Sequence, residues 1–487
     1  MQLNRKKSAV SVIAVIALVI IALFSLVGCG ARITVTKIEQ SADGSYTVTY
    51  SDGSTSKIET NGENGKNGND GKDITVDDLF AAYKELHPDA TLEEFLEKYL
   101  SFTTDSAAAI NSCLRSSISI YTEFIETSIV STGFGRPPTT VSSRVVSSGS
   151  GVIFKIDQSY VYAATNYHVV YDSGADTDKN GGDKFASKTI CYLYGSEGYP
   201  QLRDENGDKQ ADTDDYGYVY DYGSYALPVE IIGGSATNDI AVIRIQRSDV
   251  DAIGGSVAAA QFALSYHVGQ TAIAIGNPES AGISATQGII SVDGEDITLS
   301  VDGTSRTHRS MRIDTAIYHG SSGGGLFDSS GLLIGITNAG DDKDQNINYA
   351  VPLEIVRGTI DNIMYYFEKS GAKAKVKKVT LGITVLSENA RYVYDPKTGY
   401  GNVIEDAKIE EVSSGSIASS LGLQSGDIVT AISVSGKEYK IYRRFNISDV
   451  LLTAMPTDTI SVSYSRGGQA YTTAQYSLAG AQFNEIA

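Results

Sequence analysis

Apolar and polar positions along this chain change regime several times. Behind the basic start Asn4-Arg5-Lys6-Lys7, residues 9–27 form one apolar stretch. Residues 32–60 then alternate, as in Tyr46-Thr47-Val48-Thr49-Tyr50, with Asp43-Gly44 and Asp52-Gly53 between the runs. That pattern predicts a small β-meander. Gly62, Gly65, Gly68 and Gly71 recur every third residue without proline, too few triplets for a collagen helix, so this segment reads as a flexible linker. Residues 75–100 carry two helical patterns opened by Thr75-Val76-Asp77-Asp78 and Thr91-Leu92-Glu93-Glu94, which are capping-type starts. Beyond residue 108 the pattern becomes short β-like runs. Val161–Ala164 is an apolar run, as expected of a buried strand, and Ile240–Ile245, apolar except at Arg244, reads as a further strand.

Three stretches stand out from that background. Residues 126–146 read as a long loop, because Arg136-Pro137-Pro138 interrupts any regular element. Residues 199–225 are acidic and tyrosine-rich, and the alternation of Tyr216, Tyr218, Tyr220 and Tyr222 predicts a hairpin with one aromatic face. That face is either surface decoration or a contact for substrate or partner. Near the C-terminal third, a helical stretch ending at Lys369 is stopped by Ser370-Gly371. A basic linker, 373–378, follows, and 447–454 reads as a further helix.

With 487 residues the chain has room for about three domains. Its net charge of −19 disfavours nucleic acid and acidic headgroups as partners. Leu26-Val27-Gly28-Cys29 resembles a bacterial lipobox, which implies removal of residues 1–28 and lipidation of Cys29. The competing reading is an uncleaved anchor, since the apolar stretch approaches the ~20 residues of a spanning helix. The cysteine after small residues favours cleavage, and in either case the remainder faces outward. Cys113 and Cys191 are left as a disulfide or as two buried thiols. Neither has metal-ligand spacing to another Cys or His, so no structural zinc and no cofactor are expected. Asp176-Thr177-Asp178-Lys179-Asn180-Gly181 copies the start of a calcium loop, but Ser187 occupies the twelfth position where a bidentate carboxylate belongs. The segment therefore reads as a polar turn, and no metal is expected.

The chemistry lies in three places. His168 follows the apolar run 161–164 inside Thr165-Asn166-Tyr167-His168. Asp239 opens the run 240–245, and Ser322 sits in Gly320-Ser321-Ser322-Gly323-Gly324. A serine hydroxyl needs a base to take its proton and a carboxylate to fix the base's tautomer. An oxyanion site needs two backbone amides aimed at one point, and a glycine-rich turn permits that approach. No proline lies between Gly320 and Ser322, so both amides can donate. Ser321 is the rival nucleophile.

These motifs, with their neighbours, resemble the HtrA (Deg) family of trypsin-like serine proteases over much of residues 110–487. Ser148-Gly149-Ser150-Gly151-Val152-Ile153, Asp239–Ile245, Ala274-Ile275-Gly276-Asn277-Pro278, Gly288-Ile289-Ile290-Ser291, Asp314-Thr315-Ala316-Ile317 and Tyr349-Ala350-Val351-Pro352 occur in family order around the His and Ser segments. The resemblance implies a mainly β chain: a trypsin-like double β-barrel protease domain over 106–368 and a PDZ domain over 374–487; the meander, linker and helical pair before them read as a stalk at 29–105. It implies a triad of His168, Asp239 and Ser322, an oxyanion hole from the Gly320 and Ser322 amides, and a specificity pocket walled by Ala316 and Ile317. Neither wall residue is charged, so a small or medium apolar side chain is expected before the scissile bond.

Leu381-Gly382-Ile383 resembles the carboxylate-binding loop of a PDZ groove, and Ala418–Val429 the family's A-x-x-A-G-L-x-x-G-D pattern with Leu421 in place of Ala. Such a groove adds a peptide as a strand and captures its C-terminal carboxylate. Unfolded or damaged extracytoplasmic proteins are the implied substrates and a homotrimer the implied assembly. The chain departs from the family at Ser321 (usually Asn), at Tyr318-His319 (usually Asn-Pro) and at Gly325 (usually Pro). Those changes bear on the active loop, and the rival reading is a catalytically silent PDZ scaffold or chaperone.

Overall fold

A computed structural model describes residues 35–40, 46–50, 55–58, 84, 106–131, 137–341, 344–396 and 398–486. The chain divides into two units, residues 1–95 and 96–487. In the first, Val35–Gln40, Tyr46–Tyr50 and Thr55–Ile58 form a three-stranded antiparallel sheet in chain order. These three strands are the meander that the alternation predicts. The apolar stretch 9–27, Cys29, the glycine triplets and the paired helical patterns fall outside the described residues, Lys84 excepted.

The second unit begins with the helix Ser106–Leu114 and then closes two six-stranded antiparallel barrels. Around the first run Ile240–Gln246, Tyr160–Thr165, Thr139–Ile156, Ser117–Val130, Lys188–Leu193 and Leu227–Ser235, which pairs back onto Ile240–Gln246. Around the second run Thr271–Gly276, Ser284–Ser300, Ser305–Ile313, Asp344–Pro352, Leu333–Asp341 and Gly325–Phe327, which returns to Thr271–Gly276. This is the trypsin-like double barrel.

Strand alternation explains why the central strands are largely apolar. Ala241, Ile243 and Ile245 point into the first barrel with Val161 and Ala163. The intervening Ile240 and Val242, with Ala164, enter a second core shared with Ile273, Ile275, Phe327 and Ile336 of the other barrel. Arg244, the polar residue within Ile240–Ile245, is partly exposed and pairs with Glu230 at 2.8 Å. The helix Leu353–Ser370 covers this shared core through Val356, Ile360, Ile363 and Met364, and Gly371 ends it in the left-handed region at φ 65°.

The basic linker is not a loose tether. Ala374–Lys375 adds to the first barrel parallel to Leu227–Ser235, and Lys377–Val379 pairs with Phe483–Glu485. Beyond it, Ile383–Asp395, Tyr400–Val412, Ile428–Val434, Thr459–Arg466 and Gln469–Thr472 form a sheet whose core packs on the helix Arg444–Thr453. That helix lies against Leu353–Ser370, where a Cβ on Gly358 would come 3.0 Å from Leu452 Cγ. It also carries Asp449, which binds Arg309 of the second barrel at 2.8 Å, with both side chains nearly buried. Arg309 further stacks on Phe445, 4.4 Å from the ring centre.

Two local expectations change. The stretch 126–146 is mostly ladder, with Ser117–Val130 and Thr139–Ile156 pairing without a break from Ser117↔Val152 to Val130↔Thr139. Pro137 and Pro138 are confined to the connection, where no ladder bond is lost. The tyrosine-rich insert is a nest of two-residue ladders, Gln201–Leu202 on Tyr220–Asp221 and Thr213–Asp214 on Gly217–Tyr218. It has no single aromatic face. Tyr218 is exposed, while Tyr222 is buried against Tyr121 and Tyr192 and donates to Glu123 at 2.8 Å.

Cys113 and Cys191 are both buried free thiols, and burial pushes Cys113 up to about 12. Asp176 is engaged by Thr127 and by Lys179 at 3.0 Å, and the buried Asn180 bonds the Ile125 backbone. The calcium-like start thus braces the long hairpin.

Candidate active site

The strand Tyr160–Thr165 delivers His168 to the junction of the barrels. It ends one residue before a single helical turn, Tyr167–Val170, so His168 lies just past the buried strand rather than at its last residue. Val169 and Val170 fix that turn in the core. Asp239 is the turn residue immediately before the neighbouring strand Ile240–Gln246 and has no exposed surface. Its backbone is left-handed at φ 48°, a strained state for a non-glycine residue that the surroundings must hold. They do so through Asn166 Nδ2, which donates to the Asp239 carbonyl at 2.8 Å.

The two side chains meet. His168 Nδ1 lies 2.8 Å from Asp239 Oδ2, and the His168 backbone N–H donates to Oδ1 at 3.1 Å. Both carboxylate oxygens therefore serve one residue, which fixes the ring and places the Nδ1 proton on the Asp side. Burial pulls the imidazole down, but the Asp239 charge and hydrogen bond outweigh it, so His168 sits above its ordinary value. A second imidazole, His308 on Ser305–Ile313, is buried nearby. Burial first of all holds it below its ordinary value.

Ser322 is half-buried in a turn that depends on glycine. Gly320 has φ 89° and Gly323 φ 86°. A Cβ would come 2.4 Å from the Asn277 carbonyl oxygen at Gly320, and 2.2 Å from that of Ser150 at Gly323. Tyr318 to Ser321 form a β-turn closed by Ser321 N–H to the Tyr318 carbonyl at 2.9 Å, with Gly320 in its third position. Among the described residues, the Gly320 and Ser322 amides donate to no protein acceptor. The Ser322 hydroxyl is directed at the Asn338 carbonyl, 3.0 Å away. Ser321 is buried, with its Oγ turned back to the Tyr318 N–H at 3.4 Å.

Around the turn, Ser150 and Asn277 lie in segments that resemble the family but have no role of their own in the sequence reading, and Thr337, Gly340 and Asn348 are not singled out by it at all. Ser150 Oγ donates to the Gly320 carbonyl at 2.7 Å and accepts from Asn277 N–H at 2.8 Å. Thr337 Oγ1 donates to the Ser321 carbonyl at 2.6 Å. Ala316 and Ile317 are half-buried ahead of the turn, and Gly340 faces them: a Cβ there would lie 3.5 Å from the Ile317 carbonyl oxygen and 2.6 Å from Asn348 Oδ1. Asn348 itself is buried and donates to the Thr315 carbonyl at 3.0 Å. These residues come from other strands, and only barrel closure sets them beside the turn.

Leu381, Gly382 and Ile383 line a groove of about 430 Å³ with Ile447, Ser448 and Leu451 of the helix Arg444–Thr453. Gly382 is left-handed at φ 73°, and a Cβ there would strike Ser416 at 2.4 Å.

The family model for a trypsin-like peptidase domain matches residues 149–336, the stretch that holds all three segments above. The chain is 25% identical over 355 residues to the serine protease Do-like HtrA of Lactococcus lactis subsp. lactis (strain IL1403), covering 69% of this chain and 72% of that protein. It is 26% identical over 336 residues to the serine protease Do-like HtrA of Bacillus subtilis (strain 168), covering 67% and 62%. A solved structure titled HtrA-type protease AlgW with decapeptide matches at a TM-score of 0.43 and 21% identity, covering 76% of this chain and 98% of that one. Double barrel, peptidase match and relatives agree: the chain carries a trypsin-like peptidase domain, is similar to the HtrA serine proteases and is a serine endopeptidase.

Proposed function

We propose that peptide-bond hydrolysis runs through His168, Asp239 and Ser322, with the Gly320 and Ser322 amides as the oxyanion site. The observation that carries this is the His168–Asp239 pair at 2.8 Å, standing between the same two barrels as a glycine-bound serine with two unengaged amides. Neutral His168 takes the Ser322 proton as Oγ attacks the carbonyl carbon, and the imidazolium formed is stabilised by the Asp239 charge. Negative charge developing on the carbonyl oxygen is met by the two amides. His168 then passes its proton to the leaving amine, and water repeats the sequence on the acyl-enzyme.

The half-buried Ala316 and Ile317 support an apolar side chain before the scissile bond. Unfolded or damaged proteins expose such residues, and they are the substrates in this reading. The C-terminal domain acts as a PDZ module whose groove at Leu381, Gly382 and Ile383 takes free C-termini. Cys29 carries the lipid that holds the enzyme on the outer side of the cell membrane, and a homotrimer is the assembly.

The test is Ser322→Ala in the full chain. It should abolish casein cleavage and labelling by a fluorophosphonate probe while leaving the melting temperature near that of the parent, since only a hydroxyl is removed. Loss of both in Ser321→Ala with retention in Ser322→Ala would assign the nucleophile to Ser321.

A further inference from the structure

Three consecutive peptide groups make the turn that bears the two unengaged amides, and each has its carbonyl held by a donor from a different part of the fold. The His319 carbonyl accepts Glu279 N–H at 2.6 Å, the Gly320 carbonyl accepts Ser150 Oγ–H at 2.7 Å, and the Ser321 carbonyl accepts Thr337 Oγ1–H at 2.6 Å. A trans peptide is planar, so its N–H points opposite to its C=O. Holding the Ser321 oxygen therefore aims the Ser322 amide, and holding the His319 oxygen aims the Gly320 amide. Without such holds, a turn carrying glycines at 320, 323 and 324 has low barriers to peptide rotation.

We propose that Thr337 is a positioning residue of the oxyanion site, orienting the Ser322 amide through the Ser321 carbonyl, and that Ser150 does the same for the central peptide. This rests on the reading of the Gly320 and Ser322 amides given above. Thr337 is suited to it. It is 1% exposed, it lies in the strand Leu333–Asp341, and its backbone is tied to the turn by Thr337 N–H to the Gly324 carbonyl and Gly323 N–H to the Thr337 carbonyl, both 2.9 Å. A β-branched side chain on a paired strand has little χ1 freedom, so its hydroxyl is a fixed point. Ser150 is fully buried, and its own N–H donates to the Ser322 carbonyl at 2.8 Å.

The hydroxyl of Thr337 is not needed to satisfy the Ser321 oxygen, which also accepts Gly324 N–H at 3.0 Å. Its removal leaves no orphaned carbonyl, and the effect falls on orientation rather than on folding.

The experiment compares Thr337→Val, Thr337→Ser and Ser150→Ala in the full chain. The readouts are kcat and KM on a chromogenic peptide, inhibition by a peptide boronic acid, and the melting temperature. A boronate forms a tetrahedral adduct on the nucleophile and reads the oxyanion amides directly. Losing an oxyanion donor outright costs about 100- to 1,000-fold, so misaiming one in Thr337→Val should lower kcat about 10- to 100-fold and weaken boronate inhibition by the same factor, with KM within about twofold. Thr337→Ser keeps the hydroxyl and should recover most of the loss. Ser150→Ala should move in the same direction as Thr337→Val. Full boronate affinity in Thr337→Val, or Thr337→Ser as impaired as Thr337→Val, overturns the proposal. Should Thr337→Val fail to fold, full boronate affinity in Ser150→Ala overturns it. A parent enzyme that neither binds the boronate nor takes the fluorophosphonate on Ser322 would instead sink the nucleophile reading itself.

Discussion

Asp239→Asn is the most informative change to the charge system, because the geometry dictates how the amide must turn. The carboxylate is fully buried and accepts two hydrogen bonds from one residue, the His168 backbone N–H on Oδ1 and the ring Nδ1 on Oδ2. A backbone N–H can only donate, so the asparagine oxygen must face it. That leaves the NH2 opposite Nδ1. Two donors cannot face each other, so Nδ1 becomes the acceptor and the ring proton moves to Nε2, the nitrogen that should receive the Ser322 proton. The base is then blocked in its resting tautomer. A wrong tautomer of this kind costs about 10,000-fold in kcat, or about 5.5 kcal/mol of transition-state stabilisation.

The pH profile gives a second reading. In the parent, His168 sits above 6.5, so the activity limb for its deprotonation should lie above that value. In the variant the burial that lowers the ring remains while the carboxylate that raises it is gone, and the limb should move below 6.5. Stability has a matching sign. A ring raised in the fold contributes stability that is complete below its unfolded value and is lost as pH rises through the folded value. That alkaline loss should vanish in Asp239→Asn. The assay is kcat/KM against pH on a fluorogenic peptide, with thermal melts over the same range. Activity within about tenfold of the parent, or an unmoved limb, would refute the tautomer argument.

The other predictions concern the C-terminal domain and the anchor. Arg309→Met strands the buried Asp449 carboxylate and should cost about 3–5 kcal/mol in chemical denaturation, whereas Arg309→Met with Asp449→Leu should recover most of it. Burial already pushes Asp449 up to about 6, against the opposing pull of Arg309, so the single-variant penalty should shrink as pH falls and the carboxylate takes up a proton. A peptide with an apolar C-terminus should bind the groove at Leu381–Ile383 and raise cleavage of a second substrate. Its amidated form should do much less, because it lacks the charge that backbone amides recognise. Equal stimulation by acid and amide counts against the groove. Cys29→Ser should block lipid attachment, read by mass spectrometry and membrane fractionation, and a parent protein that matures well beyond residue 29 without lipid would exclude the anchor.

Much of the architecture was present in local pattern. The apolar residues of Ile240–Ile245, interrupted at Arg244, marked a strand, and that strand serves two cores. Ser370-Gly371 declared the end of a helix, and Gly371 adopts the left-handed turn that stops it. Pattern failed where a ladder had no apolar face to advertise it. The long hairpin through 126–146 is mostly serine, threonine and valine, its described residues exposed along much of their length, and the Pro137-Pro138 break overshadowed it. It failed again at Tyr222, whose burial depends on a cavity formed by Tyr121 and Tyr192 far away in sequence.

The motifs marked His168, Asp239, Gly320 and Ser322 because glycine at φ near 90° and a His or Asp at a strand end leave local traces. They included Ser150 without a role and did not mark Thr337 at all. An ordinary hydroxyl on an ordinary strand acquires its role from the carbonyl it meets, and that carbonyl lies 170 positions from Ser150 and 16 from Thr337 along the chain. Sequence alone nominated the groups for the proposed chemistry, since backbone conformation and side-chain type are local properties. Tertiary structure decided how they are aimed, because only the closing of the barrels brings separate strands within hydrogen-bond distance of one turn.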